Sequence, residues 1–266
     1  MAKATKYVSK QPDINGFIDY TSEEHGTWEI LYNRQLDILH DRACPEFLAG
    51  IDALDLNAKE IPQLPIMNEK LKAITGWQVQ AVPALIGFAQ FFELLADKKF
   101  PAATFIRTRA DLDYIQEPDI FHEFFGHCPL LTNPDYAEFS QHYGRLGLAA
   151  NKADRRMLAR LYWFTIEFGL IETAKGLRIY GGGILSSTEE SHYSLESIQP
   201  VRKDLDVIDA FRTYYRIDQL QRTYFKIKDF ADLKRIREMD LDKLIKEARY
   251  LGMHKSLYQP KEDAAC

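Results

Sequence analysis

Two histidines, His122 and His127, stand five residues apart in the run Glu117-Pro118-Asp119-Ile120-Phe121-His122-Glu123-Phe124-Phe125-Gly126-His127, and that interval constrains the backbone more than any other feature of the chain. On a regular α-helix each residue turns by about 100°, so side chains five apart point about 140° away from each other. Both imidazoles reach one metal ion only where the helix ends, bends or widens towards a π-turn. Gly126 and Pro129 are the residues that would permit this. The zinc-protease helix His-Glu-x-x-His is excluded, because Gly126 occupies the position four after His122. Taken alone, a histidine pair in a helical segment is more often structural than ligating.

A further ligand is needed, and Glu167 is the candidate. It is the only charged residue in Leu161-Tyr162-Trp163-Phe164-Thr165-Ile166-Glu167-Phe168-Gly169-Leu170-Ile171. Burying an ionised carboxylate among such neighbours is costly unless a cation or strong donors compensate it. Two neutral imidazoles and one carboxylate form the facial triad that leaves positions open on non-haem Fe(II). The same set suits a zinc hydrolase with Glu123 as general base, so both chemistries stay open on the residues alone. A non-catalytic aromatic amino acid binding protein is the third reading.

Asp119, three residues before His122, shares its face on a helix and is expected either to accept the second ring N–H or to serve as an N-terminal helix acid. Glu123 reads as a cofactor contact or an exposed helix residue. Cys128 is read as a small packing residue in preference to a ligand. Arg107 and Arg109, two apart at the end of an expected strand over 103–108, would project to one face, where either can grip a substrate carboxylate or simply sit in solvent. The glycines at 181–183 are too few and wrongly patterned for a phosphate loop and read as a turn.

The frame around these residues is that of one globular domain, residues 1–266, without repeats or Ser/Gly-rich linkers. Hydrophobic residues make up 46% and charged residues 27%, enough apolar side chain for a sizeable core. The net charge of −5 argues against a nucleic-acid surface. Three scattered cysteines, Cys44, Cys128 and Cys266, give no disulfide framework, and no signal peptide is apparent, so a cytoplasmic protein is expected. The uncharged stretch 73–92 contains three glutamines and Pro83 and is read as buried core, not as a membrane span. Helices are expected over 20–44 with Ser22 as cap, 84–96, 119–127 and 154–169, with a strand over 177–180. The charged 226–251 region, with an apolar stripe through Phe230, Leu233, Ile236, Leu244 and Ile245, reads as a helix pair.

Three separated motifs then meet a known pattern. Glu117-Pro118-Asp119-x-x-His122-Glu123-x-x-Gly126-His127-x-Pro129-Leu130, Tyr162 to Leu170, and Tyr180-Gly181-x-Gly183-Ile184-Leu185-Ser186-Ser187 together resemble the tetrahydropterin-dependent aromatic amino acid hydroxylases, over about residues 13–222. The resemblance implies an α+β, mainly α fold, a basket of helices with a small β-sheet component. Residues 1–12 are then expected to be flexible and 223–266 to be a weakly matched helical segment.

The resemblance also implies iron ligands at His122, His127 and Glu167, and substrate contacts at Arg107, Trp163 and Ser186. Pterin contacts are implied at Phe91 by ring stacking, and at Leu85, Glu123 and Tyr162. Ile115 stands where animal members have a threonine. The implied reaction uses Fe(II), a tetrahydropterin (tetrahydrobiopterin or a bacterial analogue) and O2 to hydroxylate an aromatic ring, leaving the second oxygen atom on the pterin. Trp163 fits phenylalanine or tyrosine hydroxylases better than tryptophan hydroxylases, and phenylalanine, with tyrosine as product, is the expected substrate. The length fits a stand-alone bacterial catalytic domain, monomer or homodimer, without nucleic-acid or membrane partners.

Overall fold

The computed structural model describes residues 6–83 and 86–259. Leu85 therefore lies outside the described residues, and so does Cys266. The first helix, α1, runs Ser22–Leu39, and its cap is Thr21, not the expected Ser22. Thr21 and Glu24 form a reciprocal capping box, which the Thr-Ser-Glu-Glu order allows only from the threonine. The helix stops short of residue 44 because Ala43 pairs with Ile179, the Cys44 N–H donates to the Ile179 carbonyl, and Pro45 opens α2 (Pro45–Ala53).

After α3 (Leu64–Thr75), strand β1 (Gln78–Val82) pairs in parallel with β2 (Lys99–Ala103) across the intervening α4 (Phe88–Ala96). The uncharged stretch 73–92 is thus divided among a helix end, a strand and a helix. Trp77 and Phe92 are fully buried, whereas Phe88 is largely exposed. No helix among the described residues is long and apolar enough to cross a membrane.

The strand expected over 103–108 lies earlier. Beyond Ala103 the backbone turns its hydrogen bonds to side chains instead of a ladder: Thr104 N–H donates to Ser9 Oγ and Arg107 N–H to Asp119 Oδ2. Arg107 and Arg109 consequently do not share a strand face. Arg107 is buried, while Arg109 is exposed and starts a short 3-10 turn, Arg109–Asp111. The segment before it is tied down by Tyr7, whose ring stacks on Phe105 at 4.7 Å.

A π-helical turn, His122–His127, leads through a 3-10 turn (Cys128–Thr132) into α5 (Pro134–Ala149). Helix α6 (Lys152–Tyr162) ends in a second π-turn, Trp163–Glu167. Strands β3 (Gly169–Thr173) and β4 (Gly176–Ile179) form a hairpin, and α7 (Gly182–Leu185) and α8 (Thr188–Glu196) follow. Strand β5 (Val201–Asp204), α9 (Val207–Arg212) and β6 (Thr223–Ile227) complete a four-stranded sheet of order β4-β3-β6-β5. The expected helix pair at the end of the chain is α10 (Ala231–Arg237) and α11 (Leu241–Leu251), packed through Leu233, Ile236 and Ile245.

One buried carboxylate gives this frame a pH dependence. Glu190 on α8 accepts from the Tyr224 hydroxyl and from Gln221 N–H at 3.0 Å, yet burial pushes its pKa up to about 7. The folded state therefore binds the proton more tightly than the unfolded chain. The resulting cost is absent below the unfolded value, near 4.5, grows as pH rises to about 7, and is constant above. A shift of this size corresponds to about 3 kcal/mol. Glu190→Gln keeps the accepting oxygen and removes the charge. Thermal unfolding should show it matching the parent near pH 4 and exceeding it at pH 8 by up to about 3 kcal/mol, several degrees in Tm.

Candidate metal and substrate site

The first histidine pair becomes convergent because the helix widens. Cys128 N–H donates to the Glu123 carbonyl and Phe168 N–H to the Trp163 carbonyl, both bonds spanning five residues. In such a turn residues five apart come round to the same side of the helix, and most of the 140° divergence of a regular helix is removed. His122 Nε2 and His127 Nε2 stand 3.0 Å apart. Glu167 Oε2, from the second π-turn, is 3.4 Å from His127 Nε2 and 3.8 Å from His122 Nε2. Donors about 2.1 Å from one ion and at right angles to each other are about 3 Å apart, so the three atoms fit a single cation on one face.

Aromatic packing holds the first π-turn rigid. Phe121 and Phe125 stack at 4.8 Å, Trp28 and Tyr32 of α1 meet them edge-on, and Phe47 of α2 closes the back. Phe100 of β2 lies beside the His127 ring at 5.0 Å.

The protonation states suit ligation. Burial, and then His127, lowers the His122 pKa to about 4, which leaves a neutral ring at pH 7. Its Nδ1 is 2.8 Å from Ser186 Oγ, and that hydroxyl donates to the Gly182 carbonyl at 2.9 Å. Ser186 must then accept from His122 Nδ1–H, so Nε2 carries the lone pair directed at the cluster. Burial would raise the Glu167 pKa, but His127 outweighs it and holds the carboxyl below its usual range. Ser186→Ala leaves the His122 tautomer unfixed, and a 10- to 100-fold loss of metal affinity, roughly, is expected with the fold intact. Metal titration with circular dichroism as a control checks this.

Glu123 is a second carboxylate within reach, its oxygen lying within 4.8 Å of both imidazoles. It takes a hydrogen bond from the Ala103 backbone instead, and burial, with Glu167 and Asp119 nearby, pushes its pKa well up. Glu167 is therefore the better anionic ligand, and burial disfavours the charged form of Glu123.

Asp119 does not orient the His122 ring, as the sequence suggested. Its carboxylate is fully buried and takes Arg107 Nε at 2.8 Å, Arg107 Nη2 at 2.9 Å and the His122 backbone N–H at 3.1 Å. Burial alone would raise its pKa, but Arg107 outweighs it and keeps Asp119 ionised. Arg107 is thus held by a bidentate pair, with Nη1 left without a protein partner among the described residues. Ile115 packs near Phe105 and Ala103.

The aromatic wall is closely stacked. Trp163 lies between Phe168 at 4.6 Å and Tyr215 at 4.5 Å, both within 24° of parallel. Tyr162 meets Phe91 edge-on at 5.3 Å and packs on Tyr143 at 5.0 Å. The glycines at 181–183 do more than turn the chain. A Cβ on Gly182 would lie 2.4 Å from His127 Cε1, and one on Gly181 would lie 2.4 Å from the Glu167 carbonyl oxygen. The sequence reading placed these glycines in the third motif but took them only as a turn, and it did not single out Gln221 or Tyr215.

Over residues 1–248 the sequence matches the family described as biopterin-dependent aromatic amino acid hydroxylases, and the chain belongs to that family. It is 56% identical over 262 residues to a phenylalanine-4-hydroxylase of Pseudomonas aeruginosa, an alignment covering 98% of this chain and all of the relative. The structure superposes on the phenylalanine hydroxylase of Legionella pneumophila with a TM-score of 0.93 at 53% identity, covering 95% of this chain and all of that one. It also superposes on the Chromobacterium violaceum phenylalanine hydroxylase with bound oxidised Fe(III), with a TM-score of 0.87 at 43% identity over 95% of this chain and 94% of that one. The mainly helical α+β fold expected from the motifs is the fold of these relatives. None of the three favours the zinc hydrolase or the non-catalytic binder.

Proposed function

We propose that this protein is an iron- and tetrahydropterin-dependent monooxygenase that converts L-phenylalanine and O2 to L-tyrosine. The observation that carries this reading is the convergence of His122 Nε2, His127 Nε2 and Glu167 Oε2 in a chain 56% identical, over nearly its full length, to a phenylalanine-4-hydroxylase. A relative of the same fold holds iron.

His122, His127 and Glu167 are the metal ligands in this reading. Bound Fe(II) and the reduced pterin would together supply the O2 activation that places one oxygen atom on the ring. The chain's own residues bind, orient and exclude water. Arg107, braced by Asp119, offers Nη1 to the substrate carboxylate, while Trp163 walls the ring and Ser186 fixes the His122 tautomer beside it. Phe91, Glu123 and Tyr162 line the pterin side, where burial raises the Glu123 pKa and disfavours its charged form. Burial of the cluster among aromatic rings lowers the local dielectric and keeps reactive oxygen from bulk water.

The remaining expectations belong to the same reading: a single catalytic domain, cytoplasmic, acting as monomer or homodimer on a small amino acid without nucleic acid. Metal-stripped protein reconstituted with Fe(II) or Zn(II), given phenylalanine, tetrahydropterin and O2, tests the function. Tyrosine formed in step with pterin oxidation, and only with iron, is expected. Iron-loaded protein that makes no tyrosine would sink the assignment.

A further inference from the structure

The aromatic wall is fixed from an unexpected direction. The indole of Trp163 has one hydrogen-bond donor, Nε1, and it is spent on Gln221 Oε1 at 3.1 Å. Gln221 is almost completely buried. Its amide nitrogen donates to the Arg216 carbonyl at 2.6 Å and the Gln219 carbonyl at 3.1 Å, and its backbone N–H donates to Glu190. Every donor of the side chain is therefore used, and the amide has one orientation only.

The second hydrogen bond to Gln221 Oε1, at 3.0 Å, comes from the Tyr258 hydroxyl, which in turn accepts from Arg222 N–H at 3.3 Å. Tyr258 lies beyond α11, outside the residues matched by the family. Gly252, at a φ of 72°, ends that helix in a conformation that suits glycine, and the chain then leaves the helix axis. Residues 252–259 are anchored to α9 on the way: His254 N–H donates to the Arg212 carbonyl at 2.9 Å, and Arg212 Nε donates to the Gly252 carbonyl at 2.6 Å. The neighbouring Leu257 is more than half exposed, yet Tyr258 is buried. The tail is thus held at one end by α9 and at the other by a side chain that touches the site wall.

We propose that residues 252–259 act as a strap whose Tyr258 hydroxyl, through Gln221, holds the Trp163 indole and so sets the width of the aromatic amino acid pocket. Gln221 and Tyr258 are positioning residues for substrate selection. The inference rests on Trp163 as the substrate wall, and its link to the tail is testable apart from turnover.

Two measurements on the full chain test it. In the 15N-indole spectrum of the metal-free protein the three tryptophans give three side-chain signals, and Trp163 is identified by its loss in Trp163→Phe. Tyr258→Phe, which removes one hydroxyl, should move the Trp163 signal and leave those of Trp28 and Trp77 in place. An unchanged Trp163 signal overturns the strap whatever the enzyme does. In Fe(II)-loaded protein the same variant should raise KM for phenylalanine by roughly 2- to 10-fold, with kcat and the KM for pterin unchanged. In the Trp163→Phe background it should have no further effect on KM. A KM effect of equal size in both backgrounds, or none in either, overturns the link to the pocket. If the parent makes no tyrosine at all, the hydroxylase reading falls while the indole result still decides the strap.

Discussion

Glu167→Gln is expected to abolish tyrosine formation and to cut the iron content of the purified protein, while the far-ultraviolet spectrum stays that of the parent. The substitution preserves volume and one oxygen but removes the only charge in the Leu161–Ile171 run. Two imidazoles with Nε2 atoms 3.0 Å apart then face a cation without an anionic partner. Loss of a residue that merely supports a ligand costs roughly 10- to 100-fold in metal affinity, and loss of a ligand should exceed that. Glu123 is the poorer replacement, since its carboxylate accepts from the Ala103 backbone and burial raises its pKa, which disfavours the charged form. Metal analysis with tyrosine quantification checks the result. Retained iron together with near-parental turnover would remove Glu167 from the site.

Gly182→Ala should come close to the same phenotype without touching a ligand. The added methyl would lie 2.4 Å from His127 Cε1 and 2.5 Å from Nδ1, distances at which an atom must move. His127 is fully enclosed, with Phe100 at 5.0 Å on one side, so its ring has nowhere to retreat except out of register with His122 and Glu167. Overpacking of this kind costs about 1–3 kcal/mol of stability, and metal affinity should fall at least as far as in Ser186→Ala. Gly183→Ala is the graded comparison. Its methyl would approach Phe168 Cε2 at 3.0 Å and both the carbonyl oxygen and Oε2 of Glu167 at 3.1 Å, contacts that must give by only a few tenths of an ångström, less than at Gly182, so a smaller loss is expected. Gly87→Ala, with no neighbour within 4 Å among the described residues, should bind metal as the parent does. Metal titration and thermal unfolding of the three variants order them.

The distinction between these glycines was invisible in the sequence for a physical reason. A glycine run signals that backbone must pass close to something or turn sharply, but the pattern does not name the neighbour. The same holds for Asp119. Its spacing of three from His122 correctly places it on that side of the turn, and the structure indeed puts Oδ1 on the His122 backbone N–H. Its buried charge, however, is answered by Arg107, twelve residues upstream and off any strand. The ring nitrogen of His122 that was assigned to Asp119 instead belongs to Ser186, 64 residues downstream. Local periodicity carries no information about contacts of that separation.

What the sequence determined by itself is the local grammar and the donor set. The five-residue interval, with Gly126 inside it and Pro129 just beyond, required a helix that ends, bends or widens if both imidazoles are to meet one ion, and the π-turn His122–His127 is the widening. A single carboxylate in an apolar run required a compensating partner, and Glu167 sits against two imidazoles. Both deductions follow from rules that act within a few residues: the rotation per residue and the cost of burying a charge. The tertiary structure decided which side chain answers which. It assigned Arg107 to Asp119, Ser186 to His122 and Gln221 to Trp163, and it brought the Tyr258 hydroxyl back onto Gln221 from 37 residues away. Those pairings arise because an unpaired buried polar group is costly, so a packed core pairs most of them with whatever the fold brings near, and only the folded chain establishes what is near.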